Sequence, residues 1–290
     1  MRPNTLRTAL VQTILLTLAF LMTMPASADG VLEINQACAL KGCFSGDSAG
    51  FPVTITEAGH YRLTGDLFVT PAGMNAITVE TSFVTIDLAG FNVQGPFTCT
   101  GIPVSCTGTG AGWGIATAIG DQIGITVRGG TIHGFGSGAV QLEDYAVVEN
   151  VRALGNVDSG IRTGSGSQIL NSIACLNNFG DSFLAGIEAN AGSRIVGNVA
   201  CGNRGIGILT GGPGNIVHGN TVWSNSKDGI LSGIRASIMD NVVYDNGGAG
   251  INMSDSASAW GRNTVNDNDS TASSGTEIEE NLCDGSLSCP

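Results

Sequence analysis

Two stretches of the chain, NTVWSNSKDGI (220–230) and NVVYDNGGAGI (241–251), share one pattern and follow each other closely. Each opens with Asn and a short apolar run, continues with a second Asn and a small polar turn, and ends in Gly-Ile. The period from Asn220 to Asn241 is too long for a helical heptad and too short for a propeller blade. It is typical of a solenoid, in which each repeat forms one coil.

The same features recur through most of the chain. A first, nearly evenly spaced Asn series is Asn156, Asn177, Asn203, Asn225, Asn246 and Asn268. A second is Asn198, Asn220, Asn241 and Asn263. The Gly-Ile step or its equivalent recurs at Ile77, Ile115, Val140, Ile161, Ile187, Ile208, Ile230 and Ile251. Between these positions lie short runs of two-residue alternation, which predict strands separated by Gly, Asn and Ser turns.

These repeats predict an all-β fold, a single parallel β-helix of about eight or more coils with disulfide-braced caps. One coil is too thin to bury its own apolar side chains, so stacked coils must share one core. Inward columns are expected at Ala174, Ala200, Val222, Val243 and Val265, and at Ile169, Ile195, Val217 and Ile238. Stacked Asn side chains are expected to hydrogen-bond along each corner.

The chain is divided by composition into four parts. Residues 1–28 combine a basic start, an apolar run and Ala-Ser-Ala, which predicts a cleaved signal peptide and a secreted or periplasmic protein. An uncleaved membrane anchor is the alternative; the run is short for a spanning helix. Residues 29–75 are predicted to form the N-terminal cap with its first strands, 76–268 the parallel β-helix, and 269–290 the C-terminal cap.

The eight cysteines are an even number, which after an export signal predicts disulfides. Three pairs are close in sequence: Cys38 and Cys43, Cys99 and Cys106, and Cys283 and Cys289. Cys175 and Cys201 occupy the same place in successive coils, where stacked Cα atoms about 4.8 Å apart are within disulfide range. A clamp between coils is the favoured interpretation, and free thiols are the alternative.

Charge restricts the partners. The chain has a net charge of −12, and loss of the segment 1–28 removes Arg2 and Arg7 but no acid, leaving −14. This excess of acid disfavours nucleic acid and anionic membranes. It also disfavours an acidic polysaccharide, unless a cation bridges the two. We expect a monomer with no membrane insertion after signal cleavage, and a polysaccharide or cell-envelope component as partner.

The stretches VTIDLAGFNVQG (84–95) and GHYRLTGDL (59–67), together with the repeated coils, resemble the pectate-lyase-like superfamily of right-handed parallel β-helices. The resemblance covers about residues 53–268 and implies a right-handed fold. It does not define one activity, because the scaffold carries lyases, hydrolases, epimerases and adhesins. Members that act on sugars use the outer face of the sheets, walled by long turns. Here the long turns are 96–112 and 178–186, which emerge from one corner.

Two outward columns flank that corner. The column before it is Gln94, His133, Leu154, Cys175, Cys201, Trp223, Tyr244 and Asn266. The column after it is Thr78, Ala116, Gln141, Arg162, Glu188, Leu209, Leu231 and Asn252. His133, Trp223 and Tyr244 are candidate ligand-binding residues, the aromatic pair as a platform for a sugar ring or simply as a cover for the sheet.

The catalytic motifs of the resembled family are mostly missing. The sequence has neither the Asp-Asp pair of galacturonan hydrolases nor the Asp-Pro-His-Asp motif of alginate epimerases. The calcium-dependent pectate lyase pattern has candidate members: Arg162 with Glu188 for catalysis, and Glu143, Asp158 and Asp181 for calcium. For Arg162 and Glu188 the favoured interpretation is a cross-strand ion pair of little consequence. No cofactor is expected, calcium being the one candidate.

Three functions follow from these observations. The favoured one is a non-catalytic exported β-helix whose outer face binds carbohydrate or a cell-envelope partner. The second is a lyase or epimerase acting on uronic-acid polymers, which requires a base and a charge-stabilising group near the sugar carboxylate. The third is a surface adhesin component.

Overall fold

The computed structural model describes residues 30–101, 105–108, 110–118, 120–178, 184–287 and 289. The chain divides into a unit of residues 1–31 and a unit of residues 32–290, and the β-helix belongs to the second. The predicted signal peptide, 1–28, lies outside the described residues. Within those residues the one helix, α1 (Gln36–Ala39), is four residues long, and no helix is long and apolar enough to cross a membrane.

The described residues form a parallel β-solenoid with three strand-bearing sides, which confirms the predicted fold class. The first sheet contains β1 (Val31–Ile34), β3 (Gly59–Leu63), β6 (Val84–Asp87), β11 (Thr126–His133), β13 (Val147–Leu154), β15 (Gln168–Leu170), β18 (Arg194–Val196), β21 (Ile216–His218), β24 (Ser237–Met239), β27 (Ala259–Gly261) and β30 (Thr276–Glu277). The second sheet contains β4 (Leu67–Phe68), β7 (Asn92–Gln94), β16 (Ile173–Cys175), β19 (Val199–Cys201), β22 (Thr221–Trp223), β25 (Val242–Tyr244), β28 (Thr264–Asn266) and β31 (Leu282–Cys283). Strands β11 and β13 run through the corner and belong to both sheets.

The third sheet has ten strands, one from each coil. They are β2 (Val53–Ile55), β5 (Ile77–Val79), β10 (Trp113–Thr117), β12 (Gly138–Leu142), β14 (Ser159–Thr163), β17 (Ala185–Ala189), β20 (Ile206–Thr210), β23 (Ile230–Ser232), β26 (Ala249–Met253) and β29 (Ser270–Ser273). Parallel pairing therefore starts before residue 76 and ends after residue 268, because the segments on either side each supply strands to the sheets.

Apolar side chains from all three sheets form one continuous core. The predicted inward columns are aligned in register and are fully buried, as with Ala200 beside Val222 and Ile195 beside Val217. The core therefore lies in the interior of the solenoid, and the outward columns are left for function.

The two Asn series form ladders along two corners of the solenoid. In the first ladder, between the second and third sheets, Asn203 donates from Nδ2 to Asn225 Oδ1 over 2.8 Å. In the second, between the first and second sheets, Asn220 donates to Asn241 Oδ1 over 2.9 Å. The second ladder continues to Asn281. Each amide also bonds backbone groups of neighbouring coils, so polar corners are satisfied inside a dry fold.

The glycine of the Gly-Ile step is required by close packing. A Cβ atom on Gly229 would stand 2.5 Å from Val243 Cγ1, 2.7 Å from Gly250 O and 2.9 Å from Asn246 Nδ2. A Cβ atom on Gly207 or Gly250 would meet the equivalent atoms of the coil that follows it. The repeat therefore keeps glycine where the third sheet passes closest to the Asn ladder.

The four predicted disulfides are present: Cys38–Cys43, Cys99–Cys106, Cys175–Cys201 and Cys283–Cys289. The Cα atoms of Cys175 and Cys201, which are aligned on adjacent strands, lie 4.6 Å apart. This bond clamps one coil to the next on the outer face of the second sheet.

Candidate functional site

The outward column of the third sheet is aligned as predicted. Its members occupy successive strands in register: Thr78, Ala116, Gln141, Arg162, Glu188, Leu209, Leu231 and Asn252. The polar members cluster in the N-terminal half, and the column turns apolar at Leu209. A polymer lying along this half would meet hydrogen-bonding groups on several successive coils.

Arg162 and Glu188 are the charged centre of this column. Arg162 Nε lies 3.6 Å from Glu188 Oε1, an ion pair without hydrogen-bond geometry. The Arg162 side chain is 48% exposed and forms no hydrogen bond with the described residues, whereas the Glu188 side chain is only 16% exposed. Glu188 Oε2 is buried and has no hydrogen-bond partner in the described part of the chain. The pair thus offers an unused guanidinium fork to solvent.

A cleft of about 390 Å³ adjoins this pair on the third sheet. We call it the Trp113 cleft; it is lined by Asn75, Thr78, Trp113, Gln141 and Glu143 among others. Asn75 Oδ1 accepts the backbone N–H of Trp113 over 2.8 Å, which fixes the start of β10. The Trp113 ring fits because the facing residue is Gly138, whose Cβ would stand 2.3 Å from Trp113 Cζ3.

Trp113 was not among the residues singled out from the sequence. Its position in the sequence could have indicated a role, because Trp113 directly follows the long insertion 96–112 and precedes Ala116 of the outward column. Its contribution depends on Gly138 of the next coil, which the repeat pattern alone does not identify.

The long turns do emerge from one corner, between the second and third sheets. Within 96–112 the chain forms an antiparallel hairpin of β8 (Thr98–Thr100) and β9 (Ser105–Thr107), closed by the Cys99–Cys106 disulfide. The second insertion lies between β16 and β17, and residues 179–183 of it are outside the described residues. The hairpin packs on the second-sheet side of this corner, where Cys99 lies against Gly155.

His133 lies on the second-sheet side of this hairpin. It is aligned with Gln94 before it and Leu154 after it, as predicted. Burial lowers the pKa of His133 from its usual value of 6.5, and the carboxylate of Asp66 partly opposes that shift. The imidazole is therefore neutral at neutral pH, a form with one nitrogen able to donate and the other able to accept a hydrogen bond.

Trp223 and Tyr244 lie four and five coils further along the same column. Their rings are parallel within 4°, with centroids 6.1 Å apart, in a stacked arrangement. Both rings lie on the second sheet, several coils from His133, whereas Arg162 lies on the third sheet. The structure therefore does not bring this pair together with His133 or with Arg162.

The predicted calcium ligands stay a prediction. Glu143 lines the Trp113 cleft, Asp158 directly precedes β14, and Asp181 lies outside the described residues. Among the residues that the structure describes, no three or more His, Cys, Asp or Glu side chains are grouped to hold a metal.

A separate charged cluster lies on the first-sheet side. Arg262 donates from Nε and Nη2 to Asp240, both over 2.7 Å, and pairs with Glu279. His218 Nδ1 lies 3.2 Å from Asp240 Oδ2. Hydrogen bonding to Arg262 lowers the pKa of Asp240. Asp240 and Arg262 therefore form a surface ion pair between neighbouring coils.

Residues 171–282 match the family model described as right handed beta helix region. No curated protein matches the sequence. A variant of the periplasmic alginate epimerase AlgG superposes with a TM-score of 0.54 at 14% identity, over 88% of this chain and 83% of that chain. The mannuronan C-5 epimerase AlgE4 A-module of Azotobacter vinelandii superposes at 0.52 and 13% identity, over 82% and 67%. These likenesses establish a shared fold.

Proposed function

We propose that this right-handed parallel β-helix protein binds a polysaccharide containing uronic acids along the outer face of its third sheet. The observation that carries the proposal is the half-exposed guanidinium of Arg162, which forms no hydrogen bond with the described residues. Arg162 lies beside Gln141, which lines the Trp113 cleft on the preceding strand. Arginine presents a planar fork that matches a carboxylate in two-point contact.

The rest of the face supplies what a sugar chain requires. Trp113 offers apolar ring surface to the C–H groups of a pyranose, and the Gln141 amide both donates and accepts hydrogen bonds. Such a mixture of one aromatic wall and a few polar groups is typical of small-molecule clefts. The alginate epimerases of similar fold are named for action on a uronic-acid polymer, which supports the same ligand class here.

We place this activity in the periplasm or outside the cell. Four disulfides are expected to form and persist in an oxidising compartment. The apolar start of the chain supports export in the same way.

The overall charge of the chain opposes an acidic ligand, so affinity depends on local groups. With a net charge of −12, long-range repulsion of a polyanion is expected at low salt. Calcium is proposed to relieve that repulsion by bridging Glu143, Asp158 or Asp181 to sugar carboxylates. Affinity should therefore rise when calcium is added and when moderate salt screens the repulsion.

The test is direct titration of the mature protein with alginate, polygalacturonate and neutral polysaccharides, with and without calcium. Arg162→Gln should weaken binding of the uronate polymers about tenfold or more, because a charge-assisted contact is lost. The matched control is Arg194→Gln, which removes an exposed arginine from the outer face of the first sheet. Equal losses from both variants, or no binding of any uronate polymer, would overturn the proposal.

A second candidate function is catalysis on the same polymer. The specific observation is that Glu188 places a buried, unpaired carboxylate oxygen beside Arg162, a pairing of proton-accepting and charge-stabilising groups. In β-elimination, a base takes the proton at C5, the C4–O bond breaks and a C4–C5 double bond forms. In epimerisation, C5 instead regains a proton on its other face.

Product analysis separates the two candidates. A lyase yields ultraviolet-absorbing unsaturated ends, and an epimerase incorporates solvent deuterium into the sugar. Arg162→Ala should abolish either signal while circular dichroism shows an intact fold. Binding without product or deuterium exchange supports the non-catalytic function.

A further inference from the structure

A second cleft lies beside the hairpin, over the outer face of the second sheet. Its volume is about 430 Å³, within the range of small-molecule sites. Its floor includes Gln94, Thr131 and His133, and its wall includes Phe97 and Cys99. We call it the His133 cleft.

The three floor side chains have unused hydrogen-bonding capacity. Within the described residues, the Gln94 amide, the Thr131 hydroxyl and the His133 imidazole form no hydrogen bond. Together they supply donors and acceptors to one concave surface. Groups of this kind are normally paired within the protein, with water or with a ligand.

Polar residues occupy these two columns in the two coils that form the floor of the cleft, and further along both columns are mixed. Gln94 and His133 are followed by Leu154, Cys175 and Cys201 in one column. In the neighbouring column, Asn92 and Thr131 are followed by Arg152, Ile173 and Val199. What distinguishes Asn92, Gln94, Thr131 and His133 is that all four line one concave surface, and this grouping points to a ligand.

The wall of the cleft is held in place before any ligand binds. Phe97 is 6% exposed, and its backbone oxygen lies so close to Gly134 that a Cβ there would stand 2.5 Å away. On the next coil, a Cβ on Gly155 would meet Cys99 Cβ at 3.1 Å. The disulfide then fixes Cys99 to the second strand of the hairpin. A preformed wall lowers the entropy cost of binding.

The chemistry of the lining favours an uncharged ligand. The described lining residues include no Lys or Arg, so nothing in them would compensate an anion. Asp66 interacts electrostatically with His133 and accepts hydrogen bonds from Asn92, which adds negative charge behind the floor. Amide, hydroxyl and neutral imidazole groups match the hydroxyls of a sugar, and Phe97, Leu154 and Leu176 match its C–H faces.

We infer that the His133 cleft is a second binding site, for a neutral saccharide, separate from the Arg162 face. The protein would then carry two sites of different charge preference on two different sheets of the solenoid. The protein could hold an uncharged glycan and a uronate polymer at the same time.

The test uses the mature protein with cellotetraose, xylotetraose and mannotetraose as neutral probes and tetragalacturonate as the acidic probe. Proton NMR follows the imidazole signals of His60, His133 and His218, with His133→Gln giving the assignment. We expect at least one neutral tetraose to shift the His133 signal. The His218 signal, on the first sheet beside Asp240, should not move.

Variants give the specificity. Gln94→Ala combined with Thr131→Val should weaken neutral tetraose binding about tenfold, the loss expected for two hydrogen bonds. Thr221→Val is the matched control, since Thr221 lies four coils further along the column of Thr131. Arg162→Gln should leave this binding unchanged, which keeps it distinct from the uronate site.

Three results would overturn the inference. The first is an unmoved His133 signal with every neutral tetraose at about 10 mM, where a millimolar site is mostly filled. The second is tighter binding of tetragalacturonate than of any neutral probe at this signal. The third is equal loss of neutral binding in the Thr221→Val control.

Discussion

Asn225 donates from Nδ2 to Oδ1 of Asn246 in the next coil over 2.9 Å, and both residues are almost completely buried. The backbone N–H of Asn225 donates to the same oxygen over 3.1 Å. Asn203 repeats both contacts onto Asn225 Oδ1. One amide therefore satisfies groups in three successive coils.

Asn225→Leu should destabilise the fold strongly. The backbone N–H of Asn203 and the carbonyl of Ala200 would lose their partner while remaining buried, at about 1–3 kcal/mol for each orphaned group. Urea unfolding followed by circular dichroism measures the loss. The control is Asn190→Leu at an exposed turn position, which should change stability little. Similar losses in both would contradict a structural role for the ladder.

Gly229→Ala should be destabilising by steric conflict, about 1–3 kcal/mol. The added Cβ would stand 2.5 Å from Val243 Cγ1 in the shared core. Val243→Ala removes that methyl, so the double variant should lose less than the sum of the two single variants. Strict additivity of the unfolding free energies would show that the close approach to Val243 does not set the preference for glycine.

Removing the clamp between coils, by Cys175→Ser with Cys201→Ser, should cost about 2–4 kcal/mol. The bond closes a sequence separation of 26, whereas Cys283–Cys289 closes a separation of six. On chain entropy, Cys283→Ser with Cys289→Ser should cost about 1 kcal/mol less. Thermal unfolding without reductant makes the comparison, and the reverse order would be inconsistent with this account.

The pKa of His133 should lie below 6.5 in an NMR titration, because burial disfavours the charged imidazole. Asp66→Asn should lower it further, since the Asp66 carboxylate favours the protonated form. The unfolded chain takes up this proton at higher pH than the folded chain does. His133 therefore lowers stability as pH falls below about 6.5, and the loss levels off below the folded pKa. A rise in the pKa on Asp66→Asn would contradict the assignment.

The repeat length made most of the fold predictable. A nearly constant period predicts which residues are neighbours on adjacent coils. The pairs Arg162 with Glu188 and Trp223 with Tyr244 could therefore be predicted from spacing alone. The end of the second ladder was harder to find, because the step from Asn263 to Asn281 is shorter than the steps before it. At the third corner Ser167, Ser193 and Asn215 follow one another. Because the residue type changes from Ser to Asn, the sequence shows no series of one residue type there.

The candidate site was less accessible from the sequence. The insertion 96–112 interrupts the period at both clefts: its hairpin lines the His133 cleft, and Trp113, directly after it, lines the other cleft. Trp113 can be assigned to a cleft only once Gly138 is seen to face it. Thr131 can be assigned to the other cleft only once Gln94 and His133 are seen beside it. Contacts that cross an irregular turn follow from packing in three dimensions rather than from spacing along the chain.

The corner ladders have a consequence for how such a molecule changes in evolution. Every coil between Asn220 and Asn263 presents the same amide chemistry above and below, so one copy duplicated or deleted would leave compatible surfaces at the junction. Each duplicated coil would lengthen the solenoid by about 4.8 Å along its axis. The length of the outer faces could then be adjusted by gene duplication, with the interior left unaltered.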